Sequence, residues 1–503
     1  MRIPFRSIPY ILLLMVLLTS CVAAQDNVLP YREYSKRTDA AQKVAPLTDE
    51  AFGADISLYS GSTRFRAVDI DVPGNNALPV RLARTLMIDD RTPGFRPTSG
   101  GFADWELDVP YMDGVFSMVN GWKVGARTGS VNRCSNTSKP AIPGTFDVDE
   151  VWHGYKMHLS GGSSETILVN NKTGVPQPTD AQTYPWITQS GYRIRCLSSI
   201  TGGAGEGFLA VAPDGTKYYF NHMVAKTASG MRNPISSNPA ASLARERVFL
   251  FATQVQDRHG NWVNYSYSGD KLTQISASDG RSISLTWSGD RITSATSHSR
   301  TWSYSYHTTT PATLQQVTLP DTSSWNYSAT GSLEQLETWT PPYEAPTGAC
   351  LSMQWPEQVY SYTIQHPAGA SATFNFQGKR HYRTRVPFMC NNPPGTVLER
   401  LVIPNYFDVI SLVSKTRSGP GLPSTTWNYD YGYTSPVGFC YQDPITLAWS
   451  CPTPFPPCPT GMCPPLDDAK YVIVSEVGGK TMRYSFGTAF DRNDGRLLVT
   501  ETL

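Results

Sequence analysis

The sequence predicts an all-β protein in which repeated antiparallel β-hairpins form a curved strip of sheet. First, a unit of about twenty residues recurs between Asp257 and Thr338, and such a period is typical of arrays whose units bury an apolar face on their neighbours. Second, apolar and polar residues alternate in many short segments bounded by Gly, Pro, Asn and Asp. Third, 40 Gly, 39 Pro and an aromatic content of 11% suit strands joined by tight turns.

Residues 1–24 are predicted to be an export signal, because Arg2 and Arg6 precede an apolar run that is too short to span a bilayer. Two cleavage sites compete. Cys21 ends a Leu-Thr-Ser-Cys sequence similar to the lipobox of bacterial lipoproteins, whereas the Val-Ala-Ala that follows it suits ordinary signal peptidase. We therefore expect an exported protein, either secreted or held at the cell envelope by a lipid anchor alone. The polar residues 25–50 are predicted to be a linker.

Residues 51–200 are predicted to form an amino-terminal β region. Val68, Ile70 and Val72 alternate with polar residues and end at a Pro-Gly pair, and a second alternating run covers residues 78–82. Alternation with a period of two, bounded by turn residues, indicates a hairpin with one buried face.

Acidic residues and histidines cluster near the middle of that region. The members are Asp147, Asp149, Glu150, His153 and His158. Their spacing fits no standard zinc pattern, so we interpret the cluster as a solvated turn. The sequence Asp491-x-Asn493-x-Gly495 is similar to part of a calcium loop, but a hairpin turn explains it better. We expect no metal and no cofactor.

Residues 201–340 contain the repeats, and each unit supplies two strands. The residues expected to form the repeat core are Tyr265, Leu272, Ile275, Leu285, Trp302, Tyr304, Trp325 and Tyr327. A lone hairpin is marginally stable in water, so the units are expected to stack edge to edge. The aromatic side chains could instead form a platform for sugars, although a buried core is the favoured interpretation. Ala240 to Arg247 is predicted to form one short helical turn.

Residues 341–503 are predicted to contain further strands, such as the one around Tyr360 and Tyr362. They are interrupted at residues 440–465, where Pro and Cys are dense. Proline removes a backbone donor, so this segment is predicted to be a surface loop tied by disulfides rather than a central strand.

The cysteine count suits an oxidising compartment. Nine Cys are present, and setting aside Cys21 as a candidate lipidation site leaves an even number. The disulfide candidates are Cys134, Cys196, Cys350, Cys390, Cys440, Cys451, Cys458 and Cys463. Sequence does not choose among the pairings; neighbour pairing would join Cys134 to Cys196 and Cys350 to Cys390.

The repeats resemble those of the RHS, or YD-repeat, family. The resemblance rests on residues 257–261, then Tyr265 and Tyr267, then residues 269–272, and it returns at residues 490–500. It implies a strip of sheet that forms part of a hollow β-shell, which in this family often encloses a carboxy-terminal toxin.

Two departures limit what the resemblance implies. The Tyr-Asp pair occurs only as Phe490-Asp491, and the Asp-Pro-x-Gly motif that closes the family's core is missing. The family's toxin and self-cleavage activities are therefore not expected here. The sequence instead indicates a truncated member or an amino-terminal portion of a longer protein.

The favoured function is a non-catalytic exported β-scaffold, part of a toxin-encapsulating or cell-surface system. Its expected partner is a toxin domain or a further repeat-containing segment. The alternative is a module that binds carbohydrate or the cell wall. The 42 basic and 41 acidic residues are balanced, which gives no reason to expect nucleic acid as a partner. Asp257 and His259 lie two residues apart, which suits a turn better than acid–base catalysis. We therefore expect this protein not to be an enzyme.

Overall fold

A computed structural model describes most of the chain. The described residues are 52–88, 101–125, 128–143, 148–161, 164–170, 180–232, 242–308, 312–330, 360–382, 384, 406–432, 441–442, 449–450, 469–489 and 492–503. The predicted export signal and linker lie outside them, as do Cys21, Cys350, Cys390, Cys440, Cys451, Cys458 and Cys463. Within the described part of the chain, no helix has the length and apolarity of a membrane span.

The predicted all-β class is confirmed. A small antiparallel sheet comes first, with strands β1 (Ala54–Ile56), β2 (Thr63–Val72), β3 (Val80–Ile88) and β4 (Glu106–Leu107). The long sheet begins with β5 (Tyr111–Ser117), β6 (Lys156–His158), β7 (Ser164–Thr166), β8 (Leu168–Val169), β9 (Trp186–Ile187), β10 (Arg193–Leu197), β11 (Gly207–Val211), β12 (Lys217–Arg232) and β13 (Ser242–Gln256). A four-residue helix, α1 (Val148–Val151), precedes β6.

The repeats and the carboxy-terminal strands continue the long sheet. The repeats supply β14 (Trp262–Ser268), β15 (Lys271–Ala277), β16 (Ser282–Ser288), β17 (Arg291–Ser297), β18 (Arg300–Tyr306), β19 (Leu314–Thr318) and β20 (Ser324–Thr330). Then follow β21 (Tyr360–Gln365), β22 (Ser371–Tyr382), β23 (Tyr406–Gly419), β24 (Leu422–Asp430), β25 (Tyr441–Gln442), β26 (Trp449–Ser450), β27 (Ala469–Glu476), β28 (Thr481–Gly487) and β29 (Leu497–Thr502).

Strands from β14 to β24 pair consecutively and antiparallel, and β27, β28 and β29 extend the same ladder. The ladder branches at β13, which pairs with β12 along one edge and with both β5 and β14 along the other. The hairpins of the repeats therefore dock side by side, as the period predicted. The sheet runs without a break across the expected boundary near residue 340.

Two local predictions need correction. The helical turn expected at Ala240 to Arg247 is wrong, because Ser242 begins the strand β13. This strand has neighbours on both edges, and pairing outweighs a weak helical preference. The segment 440–465, expected to be only a loop, contains β25 and β26, which pair with each other.

The first hairpins of the array share a β-bulge. The register shifts at Tyr267, Trp287 and Tyr306, which lie at or next to the last residue of β14, β16 and β18. Each of these side chains donates a hydrogen bond to a backbone carbonyl of the preceding strand, those of Ala252, Leu272 and Ile292. A bulge bends its strand and increases the local twist, so its recurrence curves the strip.

Distances require that curvature. Ten strand-to-strand steps separate β16 from β28. At about 4.8 Å a step, a flat sheet would place the two about 48 Å apart, whereas the 13 steps from Tyr59 to Val72 (72 − 59) would span about 43 Å fully extended and in fact include a turn at Gly61. Yet the carbonyl of Val72, at the end of β2, accepts a hydrogen bond from Arg281, which lies beside β16. Tyr59, in the turn before β2, contacts Phe486 on β28. The long sheet must therefore curve around the small one.

Candidate functional site

The inner face of the long sheet is the face that packs against the small sheet, and it is the candidate functional site. Phe65 on β2 lies 4.8 Å from Phe374 and 5.3 Å from Tyr362, between ring centroids. Farther along, Phe102 lies 4.7 Å from Tyr304. Aromatic contacts of this kind contribute about 0.5–1.5 kcal/mol each beyond the apolar area they bury.

Most of the expected repeat core lies on this face. Leu272, Ile275, Leu285, Trp302, Tyr304 and Tyr327 are buried, while Tyr265 and Trp325 are partly exposed. The aromatic stripe thus packs inside the molecule.

A buried ion pair lies at the centre of the inner face. Arg84 on β3 is fully buried, and its Nε lies 3.0 Å from the Asp69 carboxylate on β2. Its Nη2 donates to the Tyr327 hydroxyl at 2.5 Å, and the Tyr304 hydroxyl donates to Asp69 at 3.1 Å. The guanidinium also lies over the Trp105 ring, 4.2 Å from its centroid.

These contacts connect the small sheet to the long one. The charges of Arg84 and Asp69 neutralise each other, and both tyrosine hydroxyls are committed to them. Burial raises the pKa of Tyr304 well above its usual value, and the charge of Asp69 adds to the rise. Nε and Nη2 of Arg84 make these hydrogen bonds, while its buried Nη1 has no partner among the described residues. The cluster ties β2 and β3 to β18 and β20.

A second polar network ties the turn between β1 and β2 to the carboxy-terminal strands. Lys470 on β27 donates to the backbone carbonyl of Tyr59 and to His381 Nδ1, the latter at 2.8 Å. His381 Nε2 lies 3.1 Å from the hydroxyl of Ser411, which donates to the carbonyl of Ser60 at 2.6 Å. The hydrogen bonds therefore run in one direction, from Lys470 through His381 to Ser411 and on to the turn.

The order of serine, histidine and lysine resembles that of a nucleophile with its base, but the geometry opposes this role. Ser411 is fully buried, and its proton is directed at a backbone carbonyl. To act as a general base, His381 would have to accept the Ser411 proton at Nε2. Because Nδ1 already accepts a hydrogen bond from Lys470, Nε2 carries the proton of the neutral ring. Burial lowers the pKa of His381 to about 2, and the charge of Lys470 adds to the fall. The histidine is therefore neutral at pH 7 and acts as a bridge.

A second core surrounds a disulfide. Cys134 and Cys196, which neighbour pairing would join, form a disulfide. The Glu206 carboxylate accepts hydrogen bonds from the backbone N–H groups of Cys134 and Ser135. The two sulfurs and this carboxylate lie close together, but joined sulfurs carry no thiolate, so the group is unsuited to a metal.

Two of the other groups singled out in the sequence, His158 and Asp257, have structural partners. His158 lies 2.8 Å from Asp113, which also pairs with Arg247 on β13 and so reinforces the pairing of β5 with β13. The side chains of Asp149 and Glu150 are outside the described set, as is Asp147. Asp257 accepts hydrogen bonds from the backbone N–H of His259 and Asn261, as a turn requires.

Asn493 also has a local structural role. Its side-chain oxygen accepts from the backbone N–H of Ala489, while Asp491 lies outside the described residues. Asn493 thus satisfies a backbone donor in its own turn.

Sequence reasoning missed the two polar networks. One signal for the first was present, since Arg84 continues the alternation of Val80, Leu82, Leu86 and Ile88, and a charge at an apolar position of a strand calls for a buried partner. The Lys470 network leaves no such signal, because it joins residues that are far apart in sequence.

No protein-family model matches the chain, and no curated protein matches it. Among solved structures, the crystal structure of TcdB2-TccC3 is similar over 90% of this chain, at 9% identity and a TM-score of 0.28. The chain covers only 30% of that protein. The N-terminal domain of effector protein SpvB from Salmonella typhimurium strain LT2 matches 74% of this chain and 96% of its own, at 11% identity and a TM-score of 0.17. These likenesses are too distant to carry an argument about function.

Proposed function

We propose that this protein is a non-catalytic β-scaffold of the RHS type, exported as part of a toxin-encapsulating or cell-surface system. One observation supports it above all others: a continuous ladder of hairpins curves around a small sheet that fills its inner face. The titratable groups on that face are bonded to one another and hold the two sheets together. Two sheets held together in this way are suited to a scaffold.

The proposed partner is a toxin domain or another repeat-containing segment. The sequence resemblance to RHS repeats supports this partner, as does the apolar edge strand. On β29, Leu497, Leu498 and Val499 are about half exposed, and they lie on both faces of the strand. Apolar residues on both faces are typical of strands that are covered on both sides.

Co-expression tests the scaffold role. The protein would be produced with the product of the adjacent open reading frame, and the complex would be measured by native mass spectrometry and by protection of that product from protease. We expect a stable complex that protects its partner. Absence of association, together with a hydrolase activity lost in Ser411→Ala, would overturn the proposal in favour of an enzyme.

Export has its own test. The Cys134–Cys196 disulfide supports an oxidising compartment. Mass spectrometry of the mature amino terminus in a bacterial host would distinguish a lipid on Cys21 from cleavage after Ala24. Recovery of an uncleaved protein in the cytoplasm would contradict both.

A further inference from the structure

Two arginines of the described residues, Arg84 and Arg133, are at most 1% exposed. Arg84 pairs with the carboxylate of Asp69. Arg133, which lies in the core around the disulfide, forms no ion pair within the described part of the chain. A buried charge is costly without a counter-charge, so an anionic group is expected beside Arg133.

Aromatic side chains surround the Arg133 guanidinium. Its central carbon lies 5.6 Å from the ring centroids of both Phe116 on β5 and Trp152, which follows α1. Its Nε donates a hydrogen bond to the Tyr155 hydroxyl at 3.1 Å. Burial raises the pKa of Tyr155 to about 12, so this hydroxyl is neutral at pH 7. The rings attract the cation but do not neutralise it.

The two carboxylates on nearby strands have other surroundings. Glu206, just before β11, accepts hydrogen bonds from the backbone N–H groups of Cys134 and Ser135. Glu246 lies opposite Phe116 in the pairing of β13 with β5, and burial alone raises its pKa. A carboxylate that paired with a guanidinium would have its pKa lowered by that charge. Neither acid therefore balances Arg133.

Two buried donors in this core have no acceptor among the described residues. They are Nη1 of Arg133 and Nε1 of Trp122. The Trp122 ring lies 5.5 Å from that of Phe116 and 5.9 Å from that of Tyr155, so both donors border the same two rings.

The chemistry of these donors selects the class of ligand. In the described part of the chain, each buried side-chain atom without a partner is a nitrogen donor, and none is an oxygen. A fitting ligand must therefore accept hydrogen bonds. A water would bring two donors of its own, with no unpaired buried side-chain acceptor to receive them, whereas an anion brings acceptor capacity and a balancing charge.

We propose that Arg133 binds a small monovalent anion such as chloride in this aromatic core. Burial of the guanidinium limits the size of the ligand and excludes the carboxylate of a partner protein. The ion would be enclosed as the core folds. This proposal goes beyond the scaffold role, and either can fail alone.

Crystals of the wild-type protein grown in sodium bromide would test the site directly. Data collected at the bromine absorption edge should show an anomalous peak within hydrogen-bond distance of Arg133 Nη1. This measurement needs no variant, so it holds even if a substitution at Arg133 prevents folding.

Urea unfolding in sodium chloride and in sodium gluconate, at equal ionic strength, tests the same site in solution. Gluconate is too large for a closed core. An ion bound only by the folded state stabilises it, so each tenfold rise in chloride above the dissociation constant should raise the folding equilibrium constant about tenfold. Arg133→Met should abolish this response, and Trp122→Phe should shift it to higher chloride. Arg84→Met is the matched control and should keep the response, because Asp69 balances Arg84.

Three results would each overturn the proposal. The first is an ordered water or no anomalous peak beside Arg133. The second is bromide at exposed cations alone, which is an adventitious ion only. The third is an equal response to chloride in the wild type and in Arg133→Met.

Discussion

Arg84 shows how much one buried charge contributes to joining the two sheets. Removing it leaves the Asp69 carboxylate buried without its cation. We expect Arg84→Met to lower the free energy of unfolding by about 3–5 kcal/mol, the usual cost of an unpaired buried charge. Urea unfolding followed by tryptophan fluorescence would measure the loss.

The same hairpin offers a matched control. Arg81 and Asp71 also pair between β3 and β2, but their side chains are 36% and 51% exposed. Arg81→Met should cost no more than about 1 kcal/mol, because water screens that pair. The double variant Arg84→Met with Asp69→Asn should recover much of the loss. Equal effects of Arg84→Met and Arg81→Met would contradict a central role for the buried pair.

The Lys470 network makes stability depend on pH at its two basic groups. Burial lowers the pKa of His381 from 6.5 to about 2, so the unfolded chain binds a proton over this window and the folded chain does not. Stability therefore falls as the pH falls below 6.5. Burial likewise lowers the pKa of Lys470 from 10.5 to about 7, so stability rises with pH between these values.

Urea midpoints between pH 4 and pH 10 would measure both effects. We expect His381→Gln to flatten the acid limb and Lys470→Met to flatten the limb above neutral pH. If stability falls equally at acid pH with and without His381, other groups cause that fall.

At the scale of the element, the bulged hairpin is the unit that curves the sheet. The sequence predicts its strands well, because alternation marks all three hairpins and a Gly-Asp turn marks the first two. It does not predict the bulge, which depends on which residues lie opposite each other. The hydrogen bond from Trp287 to the carbonyl of Leu272 is one consequence of that register.

Loss of this bond is measurable. Trp287→Phe and Tyr306→Phe each leave a backbone carbonyl without its aromatic donor. Each should cost about 1–3 kcal/mol for the unsatisfied acceptor. Tyr265→Phe is the control, since its hydroxyl has no acceptor among the described residues, and it should be nearly neutral. Similar costs for all three would assign the effect to packing.

The disulfide constrains a loop-rich part of the chain. Cys134 and Cys196 are separated by 62 residues. Closing a loop of that length contributes about 4 kcal/mol on the chain-entropy account. We expect Cys134→Ala with Cys196→Ala to lower the free energy of unfolding by about 2–4 kcal/mol, and wild-type protein in dithiothreitol to behave like the variant. Full stability under reduction would remove this support for export.

For the whole molecule, the sequence predicts the long strip because its information is local and periodic. The packing of the small sheet on the long sheet is harder to predict. Phe65 meets Phe374, and Tyr59 meets Phe486, across hundreds of residues of intervening chain. The alternation of apolar and polar residues in β2 does not predict which strands β2 will pack against. Local alternation therefore predicts the strands, whereas the two polar networks depend on contacts between residues that are distant along the chain.

Synthesis order gives the small sheet a further consequence. The ribosome makes β1–β4 early, yet their neighbours on β18, β20, β22 and β28 are made much later. The early strands cannot bury their apolar side chains until the later strands are made, and contacts so distant along the chain form slowly. The contacts between Tyr59 and Phe486 therefore form only after β28 has been made, so most of the chain must be present before the inner-face core is complete.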